Sequence, residues 1–257
     1  MRYKIRAVVM TLVAFAILVT GYFSVKSQIS TSGVNAKPIT TKPSYNKGEE
    51  KHDYSKPVPK SKEVNESYFD DVVFFGDSLT YGMTSYFPVN SDRIIACKGT
   101  TISAMLGDTV LTGKEDLGKV DPINEVKKLE PRKIYIMLGI NGLAWMTPQQ
   151  VIADYEELLS KMMLENPESE IYVQSIFPVS KFKEQTDDRY SNSKIDEINA
   201  SLLELCGEKN IYFLDTNSLL KNYNNEMDSR YTNVSDGIHI NKDGYELWFD
   251  YLKTHTV

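Results

Sequence analysis

The chain has 257 residues, 41% of them hydrophobic and 25% charged, which is enough apolar material for a soluble core of ordinary size. Its net charge of −6 argues against a nucleic-acid-binding surface, which normally carries a concentration of basic residues. With two cysteines, no Cys-x-x-Cys pair and three histidines, the chain can form neither a zinc ribbon nor a thioredoxin-like centre, and we expect no histidine-rich metal site.

The N-terminal residues predict a membrane anchor. Residues 1–6 are rich in positive charge, and the uncharged run from Ala7 to Val25 is long enough to cross the hydrocarbon core as one helix. The run ends in Tyr22-Phe23-Ser24-Val25-Lys26, which is a poor site for signal-peptide cleavage. We therefore favour a single-pass anchor in the cell membrane, with residues 1–6 cytoplasmic and the rest of the chain outside. The alternative is a secreted protein whose signal peptide has been removed.

Residues 26–66 predict a disordered linker. The segment is rich in Ser, Thr, Asn, Lys and Glu and contains few large apolar residues, so it buries too little surface to offset the entropy of ordering it. Four prolines interrupt it, namely Pro38, Pro43, Pro57 and Pro59. The folded domain is then expected over residues 67–257.

Strand and helix patterns alternate through residues 67–257. Short apolar runs predict strands at 71–75, 93–96, 133–138, 170–176 and 211–214. Helices are predicted at 121–129, from Thr147 onward, at 194–206 and from Asn241 onward, with loops at 107–120 and 180–192. Strands joined by crossover helices indicate parallel pairing, so we predict a three-layer α/β/α sandwich in one domain.

The ends of three helices are indicated by particular residues. Thr147 is suited to cap one helix, with Pro148 in its first turn and Gln150 completing a capping box. Asn241 is suited to cap the last helix, and Gly207 is expected to stop the helix before the fifth strand. The helix after Thr147 carries an apolar stripe that predicts a core face, made of Val151, Tyr155, Leu158, Leu159 and Met162.

Ser78 is a candidate nucleophile because of where the first strand stops. The apolar run breaks at Gly76-Asp77-Ser78, which places Ser78 at the carboxyl edge of the sheet, where open α/β folds bind their ligands. A helix beginning near Thr80 would direct its N-terminal amides towards anything bound there. Taken alone, the short motif favours an ordinary strand end, because many strands end in such residues by chance.

A serine hydroxyl needs an adjacent base, and the chain offers three histidines. His52 lies in the predicted linker and His255 lies near the C-terminus, where ends fray. His239 lies in a motif-like loop, three residues after Asp236, which is close enough to hold the imidazole through its Nδ1 proton. A structural role for His239 is the alternative if it is considered alone. Together with Ser78, the pair favours a catalytic triad.

Acyl transfer also requires hydrogen-bond donors for the developing oxyanion. The backbone N–H of Ser78, the backbone N–H of Gly99 and the side-chain amide of Asn141 are candidates, because each follows closely after a predicted strand. Each also has an ordinary interpretation as a turn or cap residue. Their convergence on one edge of the sheet favours an oxyanion hole.

Four sequence blocks resemble those of the SGNH, or GDSL, hydrolase family. They are Gly76-Asp77-Ser78-Leu79, the region of Gly99, Gly139-Ile140-Asn141, and Asp236-Gly237-Ile238-His239. The resemblance implies a flavodoxin-like five-stranded parallel sheet of order 2-1-3-4-5, and serine ester hydrolysis without a metal or other cofactor. It implies that Ser78 is the nucleophile, His239 the base and Asp236 its orienting acid. It also implies that Ser78, Gly99 and Asn141 form the oxyanion hole.

One position departs from the family pattern. The third block usually reads Gly-x-Asn-Asp, and here Gly142 takes the place of the aspartate, which leaves the shape of the nearby loop open. Asp77 is interpreted as a residue that stabilises its loop and not as a catalytic acid. In the implied strand order Cys97 and Cys206 lie at opposite sides of the sheet, so we predict two free thiols.

These features lead to one main functional hypothesis and two alternatives. The main one is a membrane-tethered serine esterase outside the cytoplasm that removes acyl groups, most plausibly O-acetyl, from carbohydrate of the cell envelope. The alternatives are a lysophospholipase-like lipase, favoured if residues 180–192 form an apolar lid, and a non-catalytic glycan-binding module. We expect no nucleic-acid partner, and we expect a monomer.

Overall fold

Parallel strands form the centre of the structure, a computed structural model that describes residues 52–257. In chain order the strands are β1 (Val72–Gly76), β2 (Ile94–Ala96), β3 (Thr109–Val110), β4 (Lys119–Val120), β5 (Lys133–Met137), β6 (Glu170–Gln174) and β7 (Tyr212–Leu214). Five of them form a parallel sheet in the order β2-β1-β5-β6-β7, while β3 and β4 pair separately and antiparallel. Without that pair, the order is the predicted 2-1-3-4-5, which is confirmed.

The sheet forms from these residues because its strands are apolar enough to be covered on both faces. All five residues of β1 are buried, and Phe74 lies opposite Ile94 on one side and Tyr135 on the other. Since parallel strands all point the same way, their carboxyl ends lie along one edge. The loops that follow β1, β2 and β5 therefore meet at that edge.

Helices in two groups cover the sheet. The helices are α1 (Ser78–Tyr86), α2 (Ile102–Met105), α3 (Pro122–Lys128), α4 (Pro148–Glu165), α5 (Lys181–Thr186), α6 (Asn192–Lys209), α7 (Thr216–Leu220) and α8 (Lys242–Thr254). In one group α1 and α7 pack against α8, and in the other α2, α3 and α6 pack against α4. The predicted capping box at Thr147, the predicted cap at Asn241 and the buried stripe of α4 are all confirmed.

Three predictions about loops and helix ends were wrong. The predicted loop 107–120 contains β3 and β4, and the predicted loop 180–192 contains α5; these elements are too short and too polar to leave a periodic signal. Gly207 does not stop α6, which continues to Lys209 and ends at Asn210 in the left-handed conformation, with φ 55°. The short helix α7 was not predicted.

The structure also differs from the predicted linker, since residues 52–65 lie against the domain. The Val58 N–H donates to the Phe213 carbonyl of β7 at 2.8 Å, and the Val58 side chain is buried. Farther along, the backbone N–H groups of Ser61 and Val64 donate to carbonyls in the last turn of α8. The folded unit therefore includes this segment, and the predicted domain start at residue 67 is too late.

The predicted cytoplasmic segment 1–6, the predicted anchor 7–25 and the linker residues 26–51 lie outside the described residues and stay predictions. Among residues 52–257, no helix combines the length and the apolar character needed to cross a membrane. Cys97 follows β2 at one side of the sheet and Cys206 lies in α6 shortly before β7 at the other, and both are free thiols.

Candidate active site

Ser78 is held at the carboxyl end of β1 by the sharp change from strand to helix. Asp77 caps α1 with its side chain, whose Oδ1 accepts the Leu79 N–H at 3.0 Å, so Ser78 becomes the first residue of the helix. Gly76 is required by close approach, because a Cβ there would overlap Thr80 Oγ1 and the Met137 carbonyl. The interpretation of Asp77 as a residue that stabilises its loop agrees with this cap.

A chain of two short hydrogen bonds joins Ser78 to His239 and Asp236. The Oγ of Ser78 lies 2.8 Å from Nε2 of His239, and Nδ1 of His239 lies 2.7 Å from Oδ2 of Asp236. Residues separated by 161 positions in sequence are thus in direct contact. In this arrangement a proton on Nδ1 is held by the carboxylate, which leaves the Nε2 lone pair to accept the serine proton.

Asp236 is fixed by its own loop as well as by His239. Its Oδ1 accepts the backbone N–H of Ile238 at 2.8 Å and that of His239 at 2.9 Å. Partial burial would raise the pKa of Asp236, but these two N–H groups and the imidazole outweigh it and hold the pKa below its ordinary value. Asp236 therefore stays ionised at neutral pH, as an acid that orients an imidazole must.

Neighbouring segments hold the loop of Asp236 and His239 in place. The Ser180 N–H donates to the Gly237 carbonyl at 2.8 Å, and the Asn233 N–H donates to the His239 carbonyl at 2.8 Å. Gly237 has φ +70°, and a Cβ there would overlap Ser180 Oγ, so glycine meets both a conformational and a packing requirement. The loop then runs directly into α8, whose cap is Asn241.

Two backbone N–H groups and one side-chain amide are the predicted oxyanion donors, and each follows a strand at the carboxyl edge of the sheet. Within residues 52–257, the N–H groups of Ser78 and Gly99 have no protein acceptor, so both are available to a bound group. Gly99 has φ +69°, and no atom lies within 4 Å of the position a Cβ would take, so its backbone is open to approach. Asn141 Nδ2 donates to the Thr100 carbonyl at 3.0 Å and makes a longer contact of 3.4 Å to Asp77 Oδ2.

Asp77 is an acid with an unusual environment, because its side chain is almost fully buried. Burial raises the pKa of Asp77 to about 7, against the lowering effects of the Leu79 N–H and of nearby His239. Its Oδ2 faces the amide of Asn141. The protonation state of Asp77 therefore changes near neutral pH beside a candidate oxyanion donor.

The other two histidines are used elsewhere, as the sequence indicated. His52 contacts the rings of Tyr54 and Tyr212, and His255 stacks on Tyr251 with ring centroids 3.7 Å apart. In the described part of the chain, no group of three or more His, Cys, Asp or Glu side chains has a geometry that could hold a metal ion.

Sequence reasoning missed two contacts that shape the site. The first is the Thr100 carbonyl, which accepts from Asn141; a backbone acceptor has no sequence signal. The second is the Tyr245 hydroxyl of α8, which donates to the Leu79 carbonyl of α1 at 2.9 Å and links the His239 side of the site to the Ser78 side. Tyr245 is one of the buried residues of α8, and the polar tip of its ring could have suggested such a link.

Fold and site together define an α/β/α protein with a hydrogen-bonded serine, histidine and aspartate at the carboxyl edge of a parallel sheet. The model of the GDSL-like lipase/acylhydrolase family matches residues 74–247, which is more than half of the chain. The chain belongs to this family, and the resemblance noted from the four blocks is confirmed. The family implies an ester hydrolase. A search among curated protein sequences finds no match.

Several solved structures have a similar fold. A protein from Streptococcus pneumoniae, provisionally named a platelet activating factor, shares 21% identity and a TM-score of 0.57, with 72% of this chain and 82% of that one covered. A provisionally named acylhydrolase from Bacteroides fragilis shares 17% identity and a TM-score of 0.55, with coverage of 76% and 88%. A GDSL-like lipase from Bacteroides thetaiotaomicron shares 16% identity and a TM-score of 0.54, with coverage of 73% and 87%.

Proposed function

We propose that the chain is a serine esterase in which Ser78 is the nucleophile, His239 the general base and Asp236 the residue that orients His239. The observation that carries this proposal is the continuous hydrogen-bonded path from Ser78 Oγ through the imidazole to the Asp236 carboxylate. Membership of an acylhydrolase family supports it independently.

The proposed reaction has two steps. His239 Nε2 takes the hydroxyl proton as Ser78 Oγ bonds to the ester carbonyl carbon. The resulting oxyanion accepts hydrogen bonds from the N–H groups of Ser78 and Gly99 and from the Asn141 amide, which exchanges its long contact with Asp77 Oδ2 for the oxyanion and keeps its bond to the Thr100 carbonyl. The imidazolium then gives that proton to the leaving alcohol oxygen as the ester C–O bond breaks. In the second step a water attacks the acyl-serine, its proton passes to His239, and the acid is released as Ser78 regains its proton.

We further propose that the substrate is an acetyl ester on carbohydrate of the cell envelope, reached by a domain tethered through residues 7–25. An open site supports this choice, because the side chains of His239 and Asp236 are 37% and 38% exposed and a polymer chain could pass over them. The predicted linker 26–51 supports the tether, since a flexible segment of that length gives a reach of roughly a few tens of Å.

A lipase-like acylhydrolase is the second candidate. It is supported by Phe182, whose side chain is 61% exposed in the first turn of α5. This helix begins after Ser180, whose N–H bonds to the loop of His239. Trp145, 70% exposed, adds a second large apolar side chain in the loop that follows Asn141. Each is an exposed apolar surface on which an acyl chain could lie.

The test compares the full chain with Ser78→Ala on p-nitrophenyl acetate and p-nitrophenyl octanoate. Ser85→Ala, an exposed serine in the same helix α1, is the matched control. An esterase is expected to prefer the acetate and to lose about 10³-fold or more in kcat with Ser78→Ala, while Ser85→Ala stays close to wild type. A preference for octanoate supports the lipase instead. If the wild type neither turns over nor reacts with a fluorophosphonate, a binding module remains.

A further inference from the structure

Lys194, in the first turn of α6, donates hydrogen bonds to the backbone just after Asn141. Its ammonium donates to the Leu143 carbonyl at 2.8 Å and to the Met146 carbonyl at 2.7 Å. Leu143 is the fourth residue of the short 3-10 turn Ile140–Ala144, in which Asn141 is the second, and Met146 lies two residues beyond that turn. A half-buried lysine is thus joined to the backbone of a candidate oxyanion loop from a different layer of the fold.

Besides the contacts of Asn141, the turn is held by apolar packing, because Ile140 and Leu143 are buried in the core. Apart from Asn141, the residues from Ile140 to Ala144 carry no polar side chain. Gly142, which stands where the family pattern has an aspartate, supplies none, and a Cβ there would come within 2.9 Å of Met146 Sδ. Its internal contacts are backbone hydrogen bonds, from the Gly142 N–H to the Gly139 carbonyl and from the Trp145 and Met146 N–H groups to the Gly142 carbonyl.

The helix end that carries Lys194 is held in place, and no carboxylate pairs with its ammonium group in the described residues. Asn192, at the start of α6, bonds to both the N–H and the carbonyl of Val179, at 2.9 and 3.0 Å, which ties the helix end to the loop after β6. Among residues 52–257, the structure gives Lys194 no carboxylate within 4.0 Å. Its charge is therefore directed at the two loop carbonyls, where charge-assisted hydrogen bonds are stronger than neutral ones.

We propose that Lys194 is a positioning residue, which holds the loop so that the Asn141 amide is aimed at the oxyanion. This inference rests on the proposed function, because it concerns a donor for the same reaction. Lys194 does not touch the reacting atoms, so its effect must pass through Asn141. An amide that is misplaced by a fraction of an ångström loses much of its transition-state stabilisation while the substrate still binds.

The experiment is a double-mutant cycle in the full chain with Lys194→Met, Asn141→Ala and the combined variant, measured on p-nitrophenyl acetate. Lys194→Met is expected to lower kcat about tenfold with KM within about twofold of wild type, and Asn141→Ala to lower kcat about 10²-fold or more. The combined variant should have the kcat of Asn141→Ala alone. Lys194→Arg, which keeps a charged donor, should restore part of the loss.

Lys161→Met is the control, because Lys161 is also half-buried and also donates to a carbonyl, that of Leu106, away from the Asn141 loop; it differs in pairing with Asp121 at 3.0 Å as well. Thermal unfolding identifies any variant that fails to fold; if Lys194→Met is one, Lys194→Gln takes its place. Amide hydrogen exchange in residues 140–147 should be faster with Lys194 replaced than with Lys161→Met.

Three outcomes would overturn the inference: an unchanged kcat for Lys194→Met, a combined variant that loses a further tenfold beyond Asn141→Ala, or an equal loss with Lys161→Met. Each of these leaves the proposed function intact, provided that Ser78→Ala remains inactive. If instead wild type and Ser78→Ala hydrolyse the ester equally, the proposed function fails and this inference fails with it.

Discussion

Asp236 uses both carboxylate oxygens, one for the His239 ring and one for two backbone N–H groups of its own loop. Asn at this position keeps an oxygen for the backbone but brings a neutral amide to Nδ1, so the charge that stabilises the imidazolium is lost. We expect Asp236→Asn to lower kcat by about 10²–10⁴-fold with a folded protein. Steady-state kinetics measure this, with Asp243→Asn, an exposed acid in the first turn of α8, as the control. Equal activity for the two variants would remove Asp236 from the site.

The raised pKa of Asp77 predicts that the stability of the fold depends on pH. Its pKa is about 7 in the folded protein and 3.8 by reference, so the folded state keeps a proton that the unfolded chain releases. The free energy of unfolding therefore falls as pH rises from about 4 to about 7, by about 4 kcal/mol at most. Asp77→Asn is neutral at every pH and keeps an oxygen for the Leu79 N–H, so it should be less stable relative to wild type at pH 5 than at pH 8.

Chemical denaturation of wild type and Asp77→Asn at pH 5 and pH 8 measures this difference. The exposed Asp70→Asn is the control, and its stability should follow that of wild type at both values. A stability difference between wild type and Asp77→Asn that is the same at pH 5 and pH 8 would contradict the prediction.

The contact between Ser78, His239 and Asp236 was predictable at the level of residues, because a motif at a strand end and a histidine with a nearby acid are local patterns. The partners of Asn141 were not. Asn141 donates to the backbone carbonyl of Thr100, and Lys194 donates to two backbone carbonyls in the loop after Asn141. Every residue has a backbone carbonyl, so the identities of the accepting residues do not predict these bonds. Such contacts follow only from the path of the chain.

At the scale of elements, α1 and α8 meet at Gly82. A Cβ on Gly82 would come 1.9 Å from the Tyr245 hydroxyl, which donates to the Leu79 carbonyl. In an isolated helix Gly→Ala stabilises by about 0.5–1 kcal/mol, but here overpacking should dominate, so we expect Gly82→Ala to destabilise by about 1–3 kcal/mol. Because α8 follows His239 directly, activity should fall as well.

Thermal or chemical unfolding of Gly82→Ala measures the effect, beside Gly107→Ala. No atom lies within 4 Å of a Cβ on Gly107, so that variant should be close to neutral. If Gly82→Ala is as stable and as active as Gly107→Ala, then α1 and α8 tolerate a shift that the packing does not suggest.

Helix ends show what local sequence can and cannot predict. The start of α4 was predictable because Thr147, Pro148 and Gln150 interact only with one another and with the first turn. The end of α6 was not, because Gly207 serves a distant segment: a Cβ there would come within 3.3 Å of the Tyr54 carbonyl. Glycine is present at this position because residues 54–55 approach the helix, and Asn210 ends it.

The same segment explains the main error at the scale of the whole molecule. Pro57 and Pro59 and a polar composition are typical of a linker, yet the residue between them, Val58, is buried and bonds to β7. One apolar side chain in a polar run is too weak a signal to predict docking. The five strands, in contrast, follow from several apolar runs at once, and their order was predicted by the family resemblance.

Truncation tests the importance of this segment. A chain of residues 52–257 keeps its contacts, whereas residues 66–257 would leave the outer side of β7 uncovered and lose the burial of Val58, worth about 1.5–3 kcal/mol by itself. We expect the shorter chain to unfold at a lower temperature and to aggregate more readily, because an uncovered strand edge can pair with another copy. Equal thermal stability of the two chains would show that residues 52–65 are dispensable.

Residues 52–54 join the domain at the end of the sheet opposite the site. The rings of His52 and Tyr54 lie against Tyr212, the first residue of β7, whereas Ser78 lies two residues after the end of β1. In a parallel sheet these are opposite ends. The described chain therefore enters the domain at the end of the sheet opposite the Ser78 hydroxyl, so a group attached ahead of His52 would not be attached at the edge that carries the site.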